Sequence, residues 1–329
     1  MCIRDRHGLP GAALGRMVIG FSAAFAFISA LRIATAWFPP YKLGLLAGLT
    51  QALGMLGAAA GEAPISFLVA HVGWRQCMFW VAGLFVILAA LLYRYIQDHD
   101  SMAEIKRSKN HEFNIWQSLK IVLQHKQTWI NALYAGCLFG PTAVIGESYG
   151  PAFLQYGWGL SAHQAASAIG FIFIGWGLGG PLLGAISDRL GVRKPLMIAS
   201  AICTFVLTAI IIFLPFKNIF WVYVLFFTFG MTNSGVGIAY AVSTEILHRH
   251  VVGTSIAFTN MASIFVGASL QPLVGRSIDA LAGARSYHVA DLTLLDFQGP
   301  LFLLVICSAI ALLLSFFIKE TYCKKVDEN

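Results

Sequence analysis

The chain has 329 residues, 58% of them hydrophobic and only 11% charged, with a formal net charge of +7. A soluble domain carries about 25% charged residues, so this composition excludes a water-soluble globular protein. Long apolar stretches recur from end to end, which predicts an all-α, polytopic membrane protein. The positive charge does not signal nucleic acid, because Lys and Arg gather in the loops that face the cytoplasm.

Taken in chain order, residues 1–10 form an irregular or non-native leader, unlike the rest of the chain. Nine apolar spans are then expected, at 11–37, 43–69, 75–96, 128–155, 164–187, 195–214, 219–246, 252–278 and 297–318. They divide the chain into a first group of three spans (11–96), a polar connection (97–127), and a six-helix bundle with a short tail (128–329). Within the connection, Phe113, Ile115, Trp116, Leu119, Val122 and Leu123 fall at helical spacing, which predicts an amphipathic helix on the membrane surface. With the connection and the C-terminus inside, fourteen Lys and Arg residues lie on the inner side and four on the outer. That bias orients the chain with its C-terminus in the cytoplasm.

The first span opens with Arg16, one turn before Gly20. An arginine within a span is expensive and marks function, unless it snorkels to the outer interface from the helix start. Arg32, just before Trp37-Phe38-Pro39-Pro40, reads as an inner-edge anchor or a cavity residue. The second span carries Gly48, Gly57 and Gly61, a small-residue pattern that permits close helix contact. Glu62 comes directly after Gly61, either as a coupling site or as a group near the outer interface. Glu147 lies in Gly146-Glu147-Ser148-Tyr149-Gly150-Pro151, where glycine and proline predict a broken helix. A carboxylate there can bind solute or a proton, or serve as a gate at the outer mouth.

Between the fifth and sixth spans stands Gly184-Ala185-Ile186-Ser187-Asp188-Arg189-Leu190-Gly191-Val192-Arg193-Lys194-Pro195. Gly184 lets one helix approach a neighbour, Asp188 can face a helix N-terminus or a basic partner, and Arg193 and Lys194 anchor the loop inside. Further on, Asn233 and Tyr240 are polar candidates inside the seventh span, and Glu245 and Arg249 are spaced for a salt bridge at its inner end.

An internal repeat ties the two parts together. The stretch from Gly20 to Gln51 returns, degraded, as Gly230 to Asn260, at a near-constant offset of 209 to 210 residues. Gln51 and Asn260 therefore occupy equivalent positions, and polar groups placed so either bond other helices or face a cavity. Repeats of this size in an apolar chain indicate a carrier of two related halves. The segments ahead of the second copy have no counterpart ahead of the first, so three further spans are expected to precede this stretch.

The loop from Gly184 to Lys194 resembles the signature loop of the major facilitator superfamily, and the resemblance covers the chain from Gly11 to Tyr322. It implies a two-bundle carrier working by a rocker switch, with these nine spans as the fourth to twelfth of twelve. It also implies that Gly184, Asp188, Arg189, Gly191, Arg193 and Lys194 take part in conformational switching, that Arg16 serves proton coupling, and that Glu245 braces the signature loop through Arg193 or Arg249. The family's antiporter motif has proline directly after the last glycine, where this chain has Glu62 and delays proline to Pro64.

The expected function is thus secondary active transport of a small solute by alternating access, coupled to protons, by a monomer in the cytoplasmic membrane. A non-transporting solute receptor on the same scaffold, or an inactive fragment of a carrier, is the alternative. No phosphate-binding loop of the P-loop type is present, the nine histidines and six cysteines show no metal-ligand spacing, and no catalytic residues or cofactor are expected.

Overall fold

The computed structural model describes residues 9–95, 115–283 and 293–324. The described chain is helical, and its order is α1 (Leu9–Trp37), α2 (Leu43–Val72), α3 (Trp74–Tyr95), α4 (Ile115–Gln124), α5 (Lys126–Val144), α6 (Ala162–Leu190), α7 (Lys194–Phe213), α8 (Ile219–Asn233), α9 (Val236–Glu245), α10 (Val252–Gly283) and α11 (Leu294–Phe317). Without water, each span must satisfy its backbone internally, which is why helices alone fill these stretches. Eight helical stretches among the described residues are long and apolar enough to cross a membrane, with α8 and α9 together forming one of them. The remaining expected span is α2, 30 residues long, whose apolar stretch Leu43–Gly57 is described in full.

Local chemistry sets the ends. Ser161 and Gln164 form a reciprocal capping box at the start of α6, and Gly191, at φ 67°, closes that helix in the left-handed conformation. Asn218 accepts from the Phe220 N–H to open α8, and Thr293 pairs with Asp296 at the start of α11. The polar connection does contain a helix, α4. Ser118 and Val122 are its buried residues, whereas Ile115 and Trp116 are exposed, an apolar flank suited to a membrane surface. Phe113 lies outside the described residues.

The expected break around Glu147 takes another form. Beyond α5 the chain continues through two π-helical turns, Ile145–Tyr149 and Phe153–Gly157, so the helix widens without ending. Turns of this kind leave carbonyls off their normal ladder and are frequent at functional sites. A true interruption lies elsewhere, at Ser234–Gly235 between α8 and α9, where the sequence had suggested none. The equivalent part of the first copy, within α1, is uninterrupted.

The second bundle, α5 to α11, has two apolar cores. One lies towards the Asp188 end and includes Tyr134, Met197, Ile238 and Ile256; the other lies towards the opposite end and includes Phe153, Ile169, Phe226 and Phe297. Helices α1 and α2 join the first core only. Phe27, Ile28, Leu31 and Met55 pack on it, while Leu14, Met17, Val18, Ile19 and Phe21, further up α1, are exposed.

Candidate functional site

The contact between α2 and α6 sets the geometry. Gly44 and Gly48 on α2 face Gly184 and Gly180 on α6, and one further turn along Gln51 meets Trp176, giving an antiparallel register. The glycines bring backbone onto backbone: a Cβ on Gly48 would meet the Gly180 carbonyl, and one on Gly184 would meet that of Gly44. Beyond Gln51 the register ends. Gly54 and Gly57 on α2, and Gly170 and Gly177 on α6, have nothing within 4 Å of a Cβ position. On the far side of the seam, α1 approaches the second bundle where the Arg32 stem lies 3.7 Å from a Cβ on Gly253, and where the Phe27 ring packs edge-on against Tyr240 at 4.7 Å. Gly15 and Gly20, higher on α1, again have nothing near. The two parts therefore meet at the Asp188 end and separate towards the other end, leaving a cleft between them.

A charged latch closes the joined end. Asp188 accepts from the backbone N–H of Gly44 at 3.2 Å and of Leu45 at 2.8 Å, at the N-terminus of α2. Helix N-termini carry unsatisfied N–H groups and partial positive charge, so a carboxylate is at home there. Arg193, fully buried, holds Asp188 at 2.6 Å and Glu245 at 2.7 Å, and also donates to Ser187. Burial works against the Arg193 charge, but Glu245 and then Asp188 more than offset it and hold the guanidinium protonated.

The chain beyond α11 completes this end. Glu320 accepts from the Arg193 and Lys194 N–H groups at 2.8 Å each, capping α7, and the Thr321 hydroxyl donates to Glu245. The Lys194 ammonium donates to the Phe316 carbonyl. Cys323, in a left-handed turn at φ 56°, is buried against the Ser187 carbonyl, and burial pushes its thiol up to about 11. Glu320, Thr321 and Cys323 were not singled out in the sequence, and the only local signal would have been an acid placed where α7 needs a cap.

The remaining sequence candidates are spread over the molecule. Glu245 pairs with Arg193; α9 ends at Glu245, so the helical spacing to Arg249 is not realised, and the Arg249 side chain lies outside the described residues. Arg189 is exposed at the loop, and Gly191 supplies its left-handed turn. The side chains of Arg16 and Glu62 also lie outside the described residues. Glu147 is exposed, with Gln271 of α10 donating to it at 3.4 Å and to the Ala143 carbonyl at 3.1 Å. Asn233 is fully buried at the end of α8 and donates one turn back to the Phe229 carbonyl, which places it at the helix interruption and away from the cleft. Gln51, Tyr240 and Asn260 come together at the cleft floor. The Trp176 indole donates to the Gln51 carbonyl at 3.2 Å, the Tyr240 hydroxyl donates to the Asn260 carbonyl at 2.9 Å, and Phe139 packs edge-on against Trp176. Among the described residues there is no cluster of metal-ligating side chains.

Comparison with known proteins adds three findings. The sequence profile of the Major Facilitator Superfamily matches residues 6–272. Over 96 residues the chain is 26% identical to a protein of Bacillus subtilis (strain 168) described as "Uncharacterized transporter YybO"; the match covers 29% of this chain and 22% of that relative's length. Among solved structures, the crystal structure of the Major Facilitator Superfamily transporter FucP in the outward conformation aligns with a TM-score of 0.63, covering 89% of this chain and 72% of that one at 14% identity. At that identity the likeness concerns the fold alone.

Proposed function

Because the chain belongs to the Major Facilitator Superfamily, we propose that it acts as a secondary active carrier which moves a small solute across the cytoplasmic membrane by alternating access, coupled to protons. The observation that carries this reading is the asymmetry of the cleft: a glycine seam and a buried charged latch at one end, separated helices at the other. Such a contact is bistable. Asp188 can leave the N-terminus of α2 while keeping Arg193, so the seam can part without stranding a buried charge. On this reading the protein is a non-enzymatic monomer without a cofactor, in which residues 11–96 and 128–329 form the two moving parts. Arg16, Glu62 and Glu147 are its candidates for proton coupling, and Gln51, Tyr240 and Asn260 its candidates for solute, whereas Asn233, fully buried at the helix interruption, is left with a structural role.

Flux is the deciding measurement. The protein in proteoliposomes should give solute-evoked currents under an imposed pH gradient with at least one member of a panel of amino acids, short peptides, hydroxy acids and sugars. Saturable binding without flux would favour the receptor alternative, and neither binding nor flux would remove both.

Two predictions belong to this reading. The excess of Lys and Arg supports a cytoplasmic latch end. A cysteine replacing exposed Lys217 should then be labelled in intact cells by an impermeant maleimide, and one replacing exposed Lys319 should not. The reverse pattern would invert the topology. The second concerns coupling. Glu147→Gln keeps the shape and the contact with Gln271 but removes the charge. Accumulation driven by a pH gradient should collapse while solute exchange persists; an unchanged pH profile and accumulation ratio would move the coupling role to Glu62 or Arg16.

A further inference from the structure

The floor of the cleft shows which chemical group the solute presents. An indole N–H only donates, so the atom of Gln51 facing Trp176 at 3.2 Å is its carbonyl oxygen, and the orientation of the amide is thereby fixed. The NH2 group of Gln51 points the other way and has no partner among the described residues. Asn260, its equivalent in the second copy of the repeat, is arranged alike: its carbonyl accepts from Tyr240 at 2.9 Å and its NH2 group has no partner among the described residues. Both side chains are partly exposed. Both adjoin α9: Gly237 lies beside the Gln51 carbonyl, and Tyr240, one turn and roughly 5 Å further along the helix axis, holds Asn260 through its hydroxyl. The missing side chain at Gly237 leaves room beside Gln51.

The floor thus offers two amide donors beside a single hydroxyl oxygen, that of Tyr240. Each partly exposed NH2 group can donate to an acceptor that a solute brings. A carboxylate accepts only and has two oxygens to meet two amides. The half-buried ring of Phe27, edge-on against Tyr240, stands beside Asn260 and suits the carbon skeleton of a small solute.

We propose that Gln51 and Asn260 together bind the carboxylate of a small organic solute. This rests on the carrier reading above and deepens it: the solute class becomes carboxylate-bearing compounds, and solutes whose polar groups are amines or hydroxyls alone are disfavoured.

The test uses the purified protein and matched probes: L-alanine against L-alaninamide, lactate against propane-1,2-diol, and glycylglycine against its amide, with binding read by calorimetry. At least one acid is expected to bind, and its matched partner to bind about tenfold more weakly or worse. Gln51→Glu and Asn260→Asp each replace a donor with a charged acceptor of the same shape and keep the carbonyl that Trp176 or Tyr240 needs. Each should weaken acid binding about tenfold or more, with the thermal unfolding midpoint unchanged. Equal binding of an amide or the diol, or unaltered acid binding by both variants, would overturn the carboxylate subsite and leave the carrier reading standing. Failure of every acid to bind the unaltered protein would overturn the carboxylate subsite as well, while flux of a sugar from the wider panel would still uphold the carrier reading.

Discussion

Gly48→Leu is expected to hold the seam open at the latch end and to stop transport. A Cβ at this position would overlap the Gly180 carbonyl and lie 2.7 Å from the Pro181 nitrogen, all of it backbone in a neighbouring helix. Flexible side chains can turn aside from an added methyl group, but two helix backbones must move apart. Overpacking of this kind costs about 1–3 kcal/mol, which lowers the closed population on the order of ten- to a hundredfold. Spin labels at exposed Lys42 and Lys319, one on each side of the seam, should report longer distances in the variant. Gly180→Leu should act alike from the other side. Gly54→Leu and Gly57→Leu are the controls, since a side chain there meets open space, and both should leave the distances at the latch end unchanged. Unchanged distances together with normal flux in Gly48→Leu would show that the seam is not the moving contact.

Apolar run length made the spans readable in advance, and eight of the nine expected stretches coincide with helices that can cross a membrane. The signature loop was equally legible, because Asp188, Gly191 and Arg193 each have a local reason to be where they are. What the sequence withheld were relations between distant elements. That Gly44 and Gly48 meet Gly184 and Gly180 depends on the register of two helices more than 120 residues apart, and small residues in a span have many uses. Glu320 looked like one more charge in a polar tail, since nothing local says that it caps α7. The same limit explains Glu147 and Asn233. Glycine and proline around Glu147 suggested a break where widened π turns proved sufficient, whereas the interruption at Ser234–Gly235 carries no proline and left no comparable mark.

The other large effect belongs to Arg193. The guanidinium is fully buried and bridges Asp188 and Glu245, whose side chains are almost as inaccessible. Arg193→Met would leave Glu245 buried with Thr321 as its remaining hydrogen-bond partner, and would free Asp188 from the position in which it meets α2. Stranding one member of a buried pair costs about 3–5 kcal/mol, so the variant should unfold at a clearly lower temperature and close its seam poorly. The double variant Arg193→Met with Glu245→Met removes both charges, and an apolar replacement of a buried pair is near neutral. It should regain most of the thermal stability while transport stays impaired, because Asp188 still lacks its cation. Asp188→Asn should do the reverse, leaving the Arg193–Glu245 pair and the unfolding temperature intact but weakening the hold on the α2 N-terminus. Stability and switching would then be separable functions of one buried cluster. Wild-type thermal stability in Arg193→Met, or full transport by the double variant, would show that the cluster braces neither.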